Sequence, residues 1–417
     1  MFHPRVVIVG AGQAGLAVSK QLTDAHVDHV LLERGRTAEH WSSQRWDSLR
    51  LLTPNWMSRL PGWSYRGSDP AGYMPAVEVA EFLAGYAASF GAPVVHGAEV
   101  RSVRRHRGRY QVISDAGSWS APAVVIATGY CDRPSVPGIA RALHPSVRQI
   151  TPDRYRNPAD VPDGRVLVVG ASSTGVQLAD ELADAGRDVV LAVGRHSRLP
   201  RRYRGMDIMW WLDSMGVLDR PLTLAESARA TEPSLQIVGS SDGRAVDLPS
   251  LVERGVRLVG RVDGADAGHL TCADDLPATT GAADRRLSRL LGRIDRFVTA
   301  SGLATEVDAP DRPRDFAVAP RSAETRLARG RIDGIRTVIW ATGYRRDYPW
   351  LHVPVLDDAG EIRQFAGRTP APGLFVIGMR WQTRRSSTFL DGVRHDAELV
   401  ADQLINGALT GSMRGAS

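Results

Sequence analysis

The sequence predicts an α/β fold in which one strand–turn–helix–strand unit occurs twice. The stretch VVIVGAGQAG (residues 6–15) precedes a helical pattern, and VLVVGASSTG (residues 166–175) does the same. Two further aliphatic runs, VVIATGY ending at Tyr130 and VIWATGY ending at Tyr344, also repeat one another. Duplicated units of this kind favour two Rossmann-like dinucleotide-binding domains, the second inserted in the first.

The first unit has the order strand, glycine turn, helix and strand over residues 6–32. Gly10 permits the tight turn, Gly12 lets the backbone approach a diphosphate, and Gly15 lets the helix pack closely on the strand. Glu33 directly follows the second strand, where a carboxylate accepts hydrogen bonds from ribose hydroxyls. Because strand, helix and carboxylate accompany the glycines, we predict a dinucleotide at this turn.

The second unit, over residues 166–193, repeats the pattern with Gly170, Ser172 and Gly175 in the turn. Val193 stands where the first unit has its carboxylate, and four arginines follow: Arg195, Arg198, Arg201 and Arg202. Arginine suits a 2′-phosphate, and a missing carboxylate removes a charge that would repel it. We therefore predict NADPH here, held by Arg195 and Arg202, and FAD or NAD at the first turn. The alternative for these arginines is a solvated surface loop.

The domain layout follows from these repeats. We predict a first part of the domain for FAD or NAD at 1–155, an NADPH-binding domain at 156–339 and the C-terminal part of the first domain at 340–417. The pairs Thr128–Gly129 and Thr342–Gly343 are expected at the crossings between the two domains. A helix predicted to start within 388–391 would face a polar edge of the cofactor with its N-terminus.

Composition limits the classes of function. Among 417 residues, 43% are hydrophobic and 24% charged, as in ordinary globular proteins. The net charge of +6 is spread along the chain as arginine, with Lys20 the only lysine, so we expect no nucleic-acid partner. No apolar run is long enough to span a membrane, and we expect a cytoplasmic protein. With only Cys131 and Cys272, a disulfide framework and a cysteine-pair redox relay are excluded.

The sequence resembles the flavin-containing monooxygenase-like flavoproteins, and in particular their bacterial CzcO-type subgroup. Besides the two glycine turns and paired ATG motifs, the resemblance rests on RWDSLRLLTPNWMSRLPG, GRHSRLPRRYRGMDIMWWLD, PSLQIVGS and SSTFLDGVRHDAE. It implies FAD in the first domain and NADPH in the second. It also implies that reduced flavin and O2 form a C4a-(hydro)peroxyflavin, which oxygenates a small-molecule nucleophile at nitrogen, sulfur or activated carbon. No metal is implied.

The resemblance also implies roles for residues outside the glycine turns. Leu52 and Thr53 would lie beside the reacting ring of the flavin and are the catalytic candidates. The remaining candidates for the cofactors are Gln13, Arg34 near the adenine, Trp41, Val100 through its backbone, Thr128, Gly129, Gly378 and Asp391. For Trp41 and Thr53, core packing and a turn are the alternatives.

The chain also departs from the family pattern. The family motif FxGxxxHxxxY/F is replaced by PSVRQITPDRY, in which Tyr155 is kept and Thr151 stands for the histidine. Leu52 occupies the position of a family asparagine. These changes keep open an NADPH-dependent flavin oxidoreductase without oxygen insertion, or a flavin redox sensor without catalysis. The stretch MDIMWWLDSMGVL (residues 206–218) has three interpretations: a core helix, an access route, or the contact of a homodimer.

Overall fold

The computed structural model describes residues 1–223, 226, 235–266, 269–316 and 334–413. Elements are numbered here in chain order. The first part of the chain forms β1 (Val6–Val9), α1 (Gln13–Asp24), β2 (His29–Leu32), α2 (Glu39–Ser43), β3 (Arg59–Leu60), β4 (Trp63–Ser64), α3 (Ala76–Ser89), β5 (Val94–Val95), β6 (Val100–His106), β7 (Arg109–Ser114), β8 (Gly117–Ala121), β9 (Ala123–Ile126) and β10 (Arg133–Pro134).

The middle of the chain forms β11 (Arg148–Ile150), β12 (Arg165–Val169), α4 (Ser173–Asp184), β13 (Val189–Ala192), β14 (Ser197–Arg198), β15 (Arg202–Tyr203), β16 (Met206–Asp207), α5 (Ile208–Ser214), β17 (Leu235–Gln236), α6 (Leu248–Glu253), β18 (Arg257–Val259), β19 (Val262–Asp266), β20 (His269–Cys272), α7 (Leu276–Ala300) and β21 (Ile335–Trp340). The last part forms β22 (Tyr344–Arg345), β23 (Leu374–Val376) and α8 (Val393–Met413).

The first sheet is parallel and has the order β23-β9-β1-β2-β5. All four residues of β1 are buried because both faces of the sheet are covered. Residues of α1, α3 and α8 pack on one face, and residues of β6, β7 and β8 pack on the other. Since β23 comes from residues 374–376, this sheet takes strands from both ends of the chain.

The second sheet is also parallel and has the order β11-β21-β12-β13-β18. Its strands lie between residues 148 and 340, inside the part of the chain that separates β9 from β23. The predicted α/β class with two Rossmann-like units, the second inserted, is therefore confirmed. The exact domain bounds stay a prediction, and β11 joins the second sheet before the predicted boundary at 156. Among the described residues, no helix is both long and apolar enough to cross a membrane.

A further apolar cluster packs α5 of the inserted segment against the domain that contains the first glycine turn. Trp211 of α5 is fully buried against α7, whose Leu287, Leu291 and Ile294 belong to the same apolar cluster. Leu52 and Phe389, which flank this cluster, come from the first unit and from the C-terminal part of the chain. The inserted segment thus packs directly on the part of the chain that holds the catalytic candidates.

Candidate functional site

The turn between β1 and α1 has the geometry that a bound diphosphate needs. Gly10 has φ +106°, and a Cβ there would lie 2.7 Å from the carbonyl oxygen of Ala127. A Cβ at Gly15 would lie 2.0 Å from the carbonyl oxygen of Gly10, so packing requires both glycines. A Cβ at Gly12 would meet no atom within 4 Å. Gly12 therefore borders open space at the N-terminus of α1, where unpaired backbone N–H groups favour an anion.

The carboxylate of Glu33 is fixed beside this turn. The backbone N–H of Ala11 donates to its Oε2 at 2.8 Å, and that of Gly35 donates to its Oε1 at 3.1 Å. The residue is only 9% exposed. Because each carboxylate oxygen can accept more than one hydrogen bond, both remain able to bind the hydroxyls of a ribose.

A cavity of about 400 Å³ opens from this turn, which lies within the roughly 300–1,000 Å³ typical of ligand sites. Its wall contains twelve residues that the sequence nominated: Gly10, Gly12, Gln13, Glu33, Arg34, Trp41, Leu52, Thr53, Val100, Thr128, Gly129 and Gly378. These residues lie far apart in the chain, and the first sheet brings them together because their segments follow the carboxyl ends of parallel strands or pack beside them.

Two of the residues nominated for the first cofactor do not line this cavity. Gly15 faces the Gly10 carbonyl group and serves packing. Asp391 is 2% exposed and accepts hydrogen bonds of 2.7 and 2.8 Å from the guanidinium of Arg59, outside the described cavity wall. The helix expected to begin within 388–391 begins at Val393. That prediction was wrong because residues 386–389 form a separate turn, closed by a 2.7 Å bond from the Phe389 N–H to the Ser386 carbonyl oxygen.

The loop that carries the catalytic candidates is held rigidly. Arg201, 3% exposed, donates from Nη1 to the carbonyl oxygen of Leu52 at 2.8 Å. On the other side of Thr53, the Asn55 side chain accepts from the Met74 N–H at 2.7 Å. The backbone around Leu52 and Thr53 is therefore positioned before any ligand binds.

Sequence reasoning missed several residues of the wall. His40, Arg45 and Cys131 lie there, and Arg45 stands 5.2 Å over the Trp41 ring. Burial, reinforced by the Arg45 charge, lowers the pKa of His40 to about 3. Burial raises the pKa of Cys131. Cys131 directly follows the VVIATGY repeat, and Arg45 is the first residue of the stretch RWDSLRLLTPNWMSRLPG on which the resemblance rests. His40 directly precedes Trp41, so each of the three had a nominated feature beside it as a signal.

The second glycine turn repeats the backbone of the first. Gly170 has φ +110°, and a Cβ at Gly175 would lie 1.7 Å from the Gly170 carbonyl oxygen. Ser172 has φ −81° and ψ −175°, and Gly12 has φ −83° and ψ −173°. This is extended backbone that any residue adopts, so serine at this position leaves the turn unchanged.

The end of β13 differs in charge from the end of β2. The Glu33 N–H donates to Val95 and the Val193 N–H to Val259, so the two residues occupy equivalent positions. Val193 is fully buried, and no carboxylate is available at this position. Arg195 and Arg202 are exposed to solvent near this end. The other two arginines of the cluster are buried in ion pairs: Arg198 with Asp247 and Asp284, and Arg201 with Asp207.

The strand β17 connects the two turns. The side-chain amide of Gln236 donates to the carbonyl oxygen of Ala171 at 2.7 Å, and the Ser173 hydroxyl donates to that of Leu235 at 2.8 Å. Leu235 and Ile237, on the opposite face of the strand, line the first cavity together with Met209 of α5. The inserted unit therefore supplies part of the wall of the first unit's cavity.

Comparison with known proteins assigns this architecture to a family. A family model described as pyridine nucleotide-disulphide oxidoreductase matches residues 7–211. A CzcO-like oxidoreductase from Geobacillus kaustophilus is 30% identical over 405 residues, which cover 96% of this chain and 98% of that protein. The chain belongs to the CzcO-like oxidoreductases.

More distant relatives share the whole length of this CzcO-like chain. The indole-3-pyruvate monooxygenase YUCCA6 of Arabidopsis thaliana is 25% identical over 422 residues, covering 95% of this chain and 89% of that protein. The structure of a flavin-containing monooxygenase from Stenotrophomonas maltophilia superposes with a TM-score of 0.68 at 19% identity, covering 98% of this chain and all of that one. The likeness to that structure shows that the fold is the same.

The cysteines of the CzcO-like chain do not form a redox pair. Cys131 lines the cavity, whereas Cys272 is 3% exposed in an apolar cluster beside β12 and β21. Both are free thiols. A disulfide relay of the kind named in the family description therefore has no second thiol at this site.

Proposed function

We propose that the protein is an FAD-dependent, NADPH-driven monooxygenase that oxygenates a small-molecule nucleophile. The observation that carries the proposal is β17, which is hydrogen-bonded to the second glycine turn and lines the cavity of the first. A nucleotide at the second turn and one in the cavity would therefore be adjacent. The monooxygenases among its relatives support the same reaction class.

The residues present fit FAD in the first cavity. A Cβ at Gly12 would occupy the open space at the N-terminus of α1, so glycine leaves room there for the diphosphate. Glu33 would bind the adenosine ribose, and Val100 would contact the adenine through its backbone. Gln13 is held by a 3.0 Å bond from its amide to the Thr388 carbonyl oxygen, which places it between the diphosphate region and the C-terminal part of the wall.

The residues of the second turn fit NADPH. Gly170 and Ser172 would border the diphosphate at the N-terminus of α4, and Gly175 lets α4 pack closely on the turn, as Gly15 lets α1 do in the first unit. Arg195 and Arg202 are exposed and would pair with the 2′-phosphate, whereas no carboxylate stands at Val193 to repel it. Arg198 and Arg201 keep their partners and orient the surrounding backbone.

A bound flavin that has taken a hydride from NADPH supplies the activation of O2. For a substrate S the reaction is S + O2 + NADPH + H⁺ → SO + NADP⁺ + H2O. The residues of the chain position the site and keep water out of it. Arg201 holds the Leu52 carbonyl group, and Leu52, Met209 and Phe389 would exclude water from the part of the cavity that they line.

One observation favours a second candidate, an NADPH oxidase-like reductase that releases peroxide. Thr151, at the position of the family histidine, lies with Gln149 and Asp153 in a groove that adjoins the cavity and shares Arg34, Glu99 and Asp132 with it, but Thr151 is not part of the cavity wall. Tyr155, the retained residue of that motif, is fully buried and hydrogen-bonded to Glu181. Without a residue from this motif at the cavity, electrons would reach O2 as O2 + NADPH + H⁺ → H2O2 + NADP⁺.

The test measures flavin content, reduction and oxygen transfer in sequence. The flavin released from purified protein is identified, and its anaerobic reduction by NADPH and by NADH is timed. Turnover under ¹⁸O2 with methyl phenyl sulfide is then followed by mass spectrometry, with hydrogen peroxide measured beside it. We expect FAD, faster reduction by NADPH, and ¹⁸O in the sulfoxide. Peroxide in stoichiometric amount with no labelled product would establish the second candidate, and a protein that takes up no FAD would refute both.

A further inference from the structure

The cavity has two chemically different ends. The charged and titratable residues of its wall are Glu33, Arg34, Glu39, His40, Arg45, Glu99, Tyr130, Cys131, Asp132 and Asp347. They belong to the end of β2, to α2 and the residues after it, to the start of β6, and to the segments that follow the two ATG motifs. Glu33 and Gly12 mark this end as the one for the ribose and diphosphate of a dinucleotide.

The opposite end is apolar. Its wall is formed by residues 51–53, 209, 235, 237, 389 and 390, none of which is charged. Leu52, Met209, Leu235 and Phe389 belong to one apolar cluster that also contains Trp56 and Trp210. Met209 is 1% exposed and is fixed because its N–H donates to Asp207 Oδ1 at 2.7 Å at the start of α5.

The charges nearest to this end are already paired. Arg201 binds the Leu52 and Val238 carbonyl oxygens and the carboxylate of Asp207. Its guanidinium stands 4.7 Å over the Tyr73 ring. Asp391, adjacent to Leu390, is bound by Arg59. A charged ligand would therefore lose its hydration at this end without gaining an opposite charge, which is strongly unfavourable.

We infer that the substrate is a neutral, largely apolar small molecule, and that Met209 and Phe389 are its specificity-determining contacts. The inference rests on the proposed function, which assigns the polar end to the ribose and diphosphate of FAD, so that the flavin ring and the substrate would meet at the apolar end. Met209 comes from the inserted unit, so the second domain both receives the reductant and shapes the substrate site. A flexible thioether and an aromatic ring suit apolar molecules of varied shape.

The inference separates this chain from the relatives named for indole-3-pyruvate. That compound is a keto acid, and its carboxylate would need a cation beside the reacting group. Arg201, which bonds the Leu52 carbonyl oxygen, is 3% exposed, and its Nη1 and Nη2 groups donate to Leu52, Val238 and Asp207.

The test compares two probes that differ by one charge, methyl phenyl sulfide and 4-(methylthio)benzoate. Binding to the FAD-loaded protein is measured by calorimetry, which requires neither NADPH nor O2. We expect the neutral probe to bind about tenfold more tightly or better, because the carboxylate has no partner at the apolar end. Equal or tighter binding of the carboxylate by the wild-type protein would overturn the inference.

Charge variants locate the contact. Phe389→Arg and Met209→Lys should reduce or reverse the preference for the neutral probe, and the half-buried Phe389 is the position that tolerates the change more easily. Met206→Lys is the control, since Met206 packs on the same cluster without lining the cavity. A preference unchanged in a folded Phe389→Arg protein would exclude this end as the substrate site.

The two proposals can fail separately. A protein that takes up no FAD refutes the proposed function and this inference with it. A protein that binds FAD and consumes NADPH but prefers the carboxylate probe refutes only the assignment of the substrate class.

Discussion

The side-chain amide of Gln236 donates a 2.7 Å hydrogen bond to the carbonyl oxygen of Ala171, within the second glycine turn. Gln236 is fully buried, and its two neighbours in sequence point to the cavity of the first unit. Because side chains alternate along an extended segment, residues 235–237 contact the second glycine turn on one face and the first cavity on the other. Any displacement of the second turn would be transmitted to the wall of the first cavity.

Replacing Gln236 by leucine should uncouple the two sites. Loss of this buried bond should cost about 1–2 kcal/mol of unfolding free energy, and anaerobic reduction of FAD by NADPH should slow while FAD content stays unchanged. Gln149→Leu is the matched control, because Gln149 donates to the Ala140 carbonyl oxygen at 3.0 Å on the second sheet but outside the cavity. If both variants reduce FAD at the wild-type rate, β17 has no role in the coupling.

Alanine at two glycines of the first turn should have different effects. Gly12→Ala adds a Cβ to open space at an ordinary φ of −83°, so the protein should fold normally but bind FAD about tenfold more weakly or worse. Gly15→Ala puts a Cβ 2.0 Å from the Gly10 carbonyl oxygen and should cost about 1–3 kcal/mol of stability. Urea unfolding and FAD reconstitution measure the two quantities. Full FAD affinity in Gly12→Ala would contradict a diphosphate at this turn.

Glu33→Gln tests the ribose contact. The amide keeps one acceptor oxygen but loses the charge, so hydrogen bonds to the ribose weaken and FAD affinity should fall about 10- to 100-fold. Glu99→Gln is the control, since Glu99 lines the same end but is about half exposed beside Arg101. FAD fluorescence during reconstitution measures both. A larger loss of affinity in the control would mean that the ribose binds elsewhere.

The sequence could predict the fold and the glycine turns because the signals are local. The strand 6–9, the turn glycines and the carboxylate after β2 lie within a few tens of residues, and their periodicity and backbone demands fix one structure. Met209 could not be placed, because its approach to Leu52 depends on packing between two units. The sequence favoured a core helix over an access route or a dimer contact, and the structure combines the core position with a place on the cavity wall.

The arginine cluster shows that ion pairing between distant residues is also beyond prediction from the sequence. Arg195 and Arg202 were nominated for the cofactor and are exposed, but nothing local in the sequence shows that Arg198 and Arg201 are buried with carboxylates. Arg198 meets Asp284 of α7, and no local pattern links these residues. Likewise, Asp391 was nominated for the cofactor, but Arg59 binds it across the fold. Partners distant in sequence decide which charges remain free for a ligand.

Arg195→Ala and Arg202→Ala test the choice of nicotinamide cofactor. Removing either exposed guanidinium should raise the KM for NADPH about tenfold, because its charge-assisted bonds to the 2′-phosphate are lost. The KM for NADH should not change, since NADH lacks this phosphate. Arg101→Ala, a surface arginine paired with Asp115, is the control. Equal effects on NADPH and NADH would assign the two arginines to general positioning.

Asp396 should make stability depend on pH. It is fully buried on α8, and burial raises its pKa to about 6, although hydrogen bonds from Thr383 and Ser387 and the charge of Arg384 oppose the shift. A carboxyl group with a raised pKa in the folded state stabilises the fold while protonated. Its contribution is complete below the unfolded pKa near 4 and is lost as pH rises through about 6.

The loss between those limits is about 3 kcal/mol at most, from 1.36 kcal/mol per unit of pKa. Asp396→Asn cannot ionise, and its side-chain oxygen can still accept from Thr383. Urea unfolding at pH 4, 5, 6 and 7 should therefore show the variant gaining stability relative to the wild type as pH rises. Parallel curves for the two proteins would mean that Asp396 has an ordinary pKa in the folded state, and that Thr383, Ser387 and Arg384 fully offset the cost of its burial.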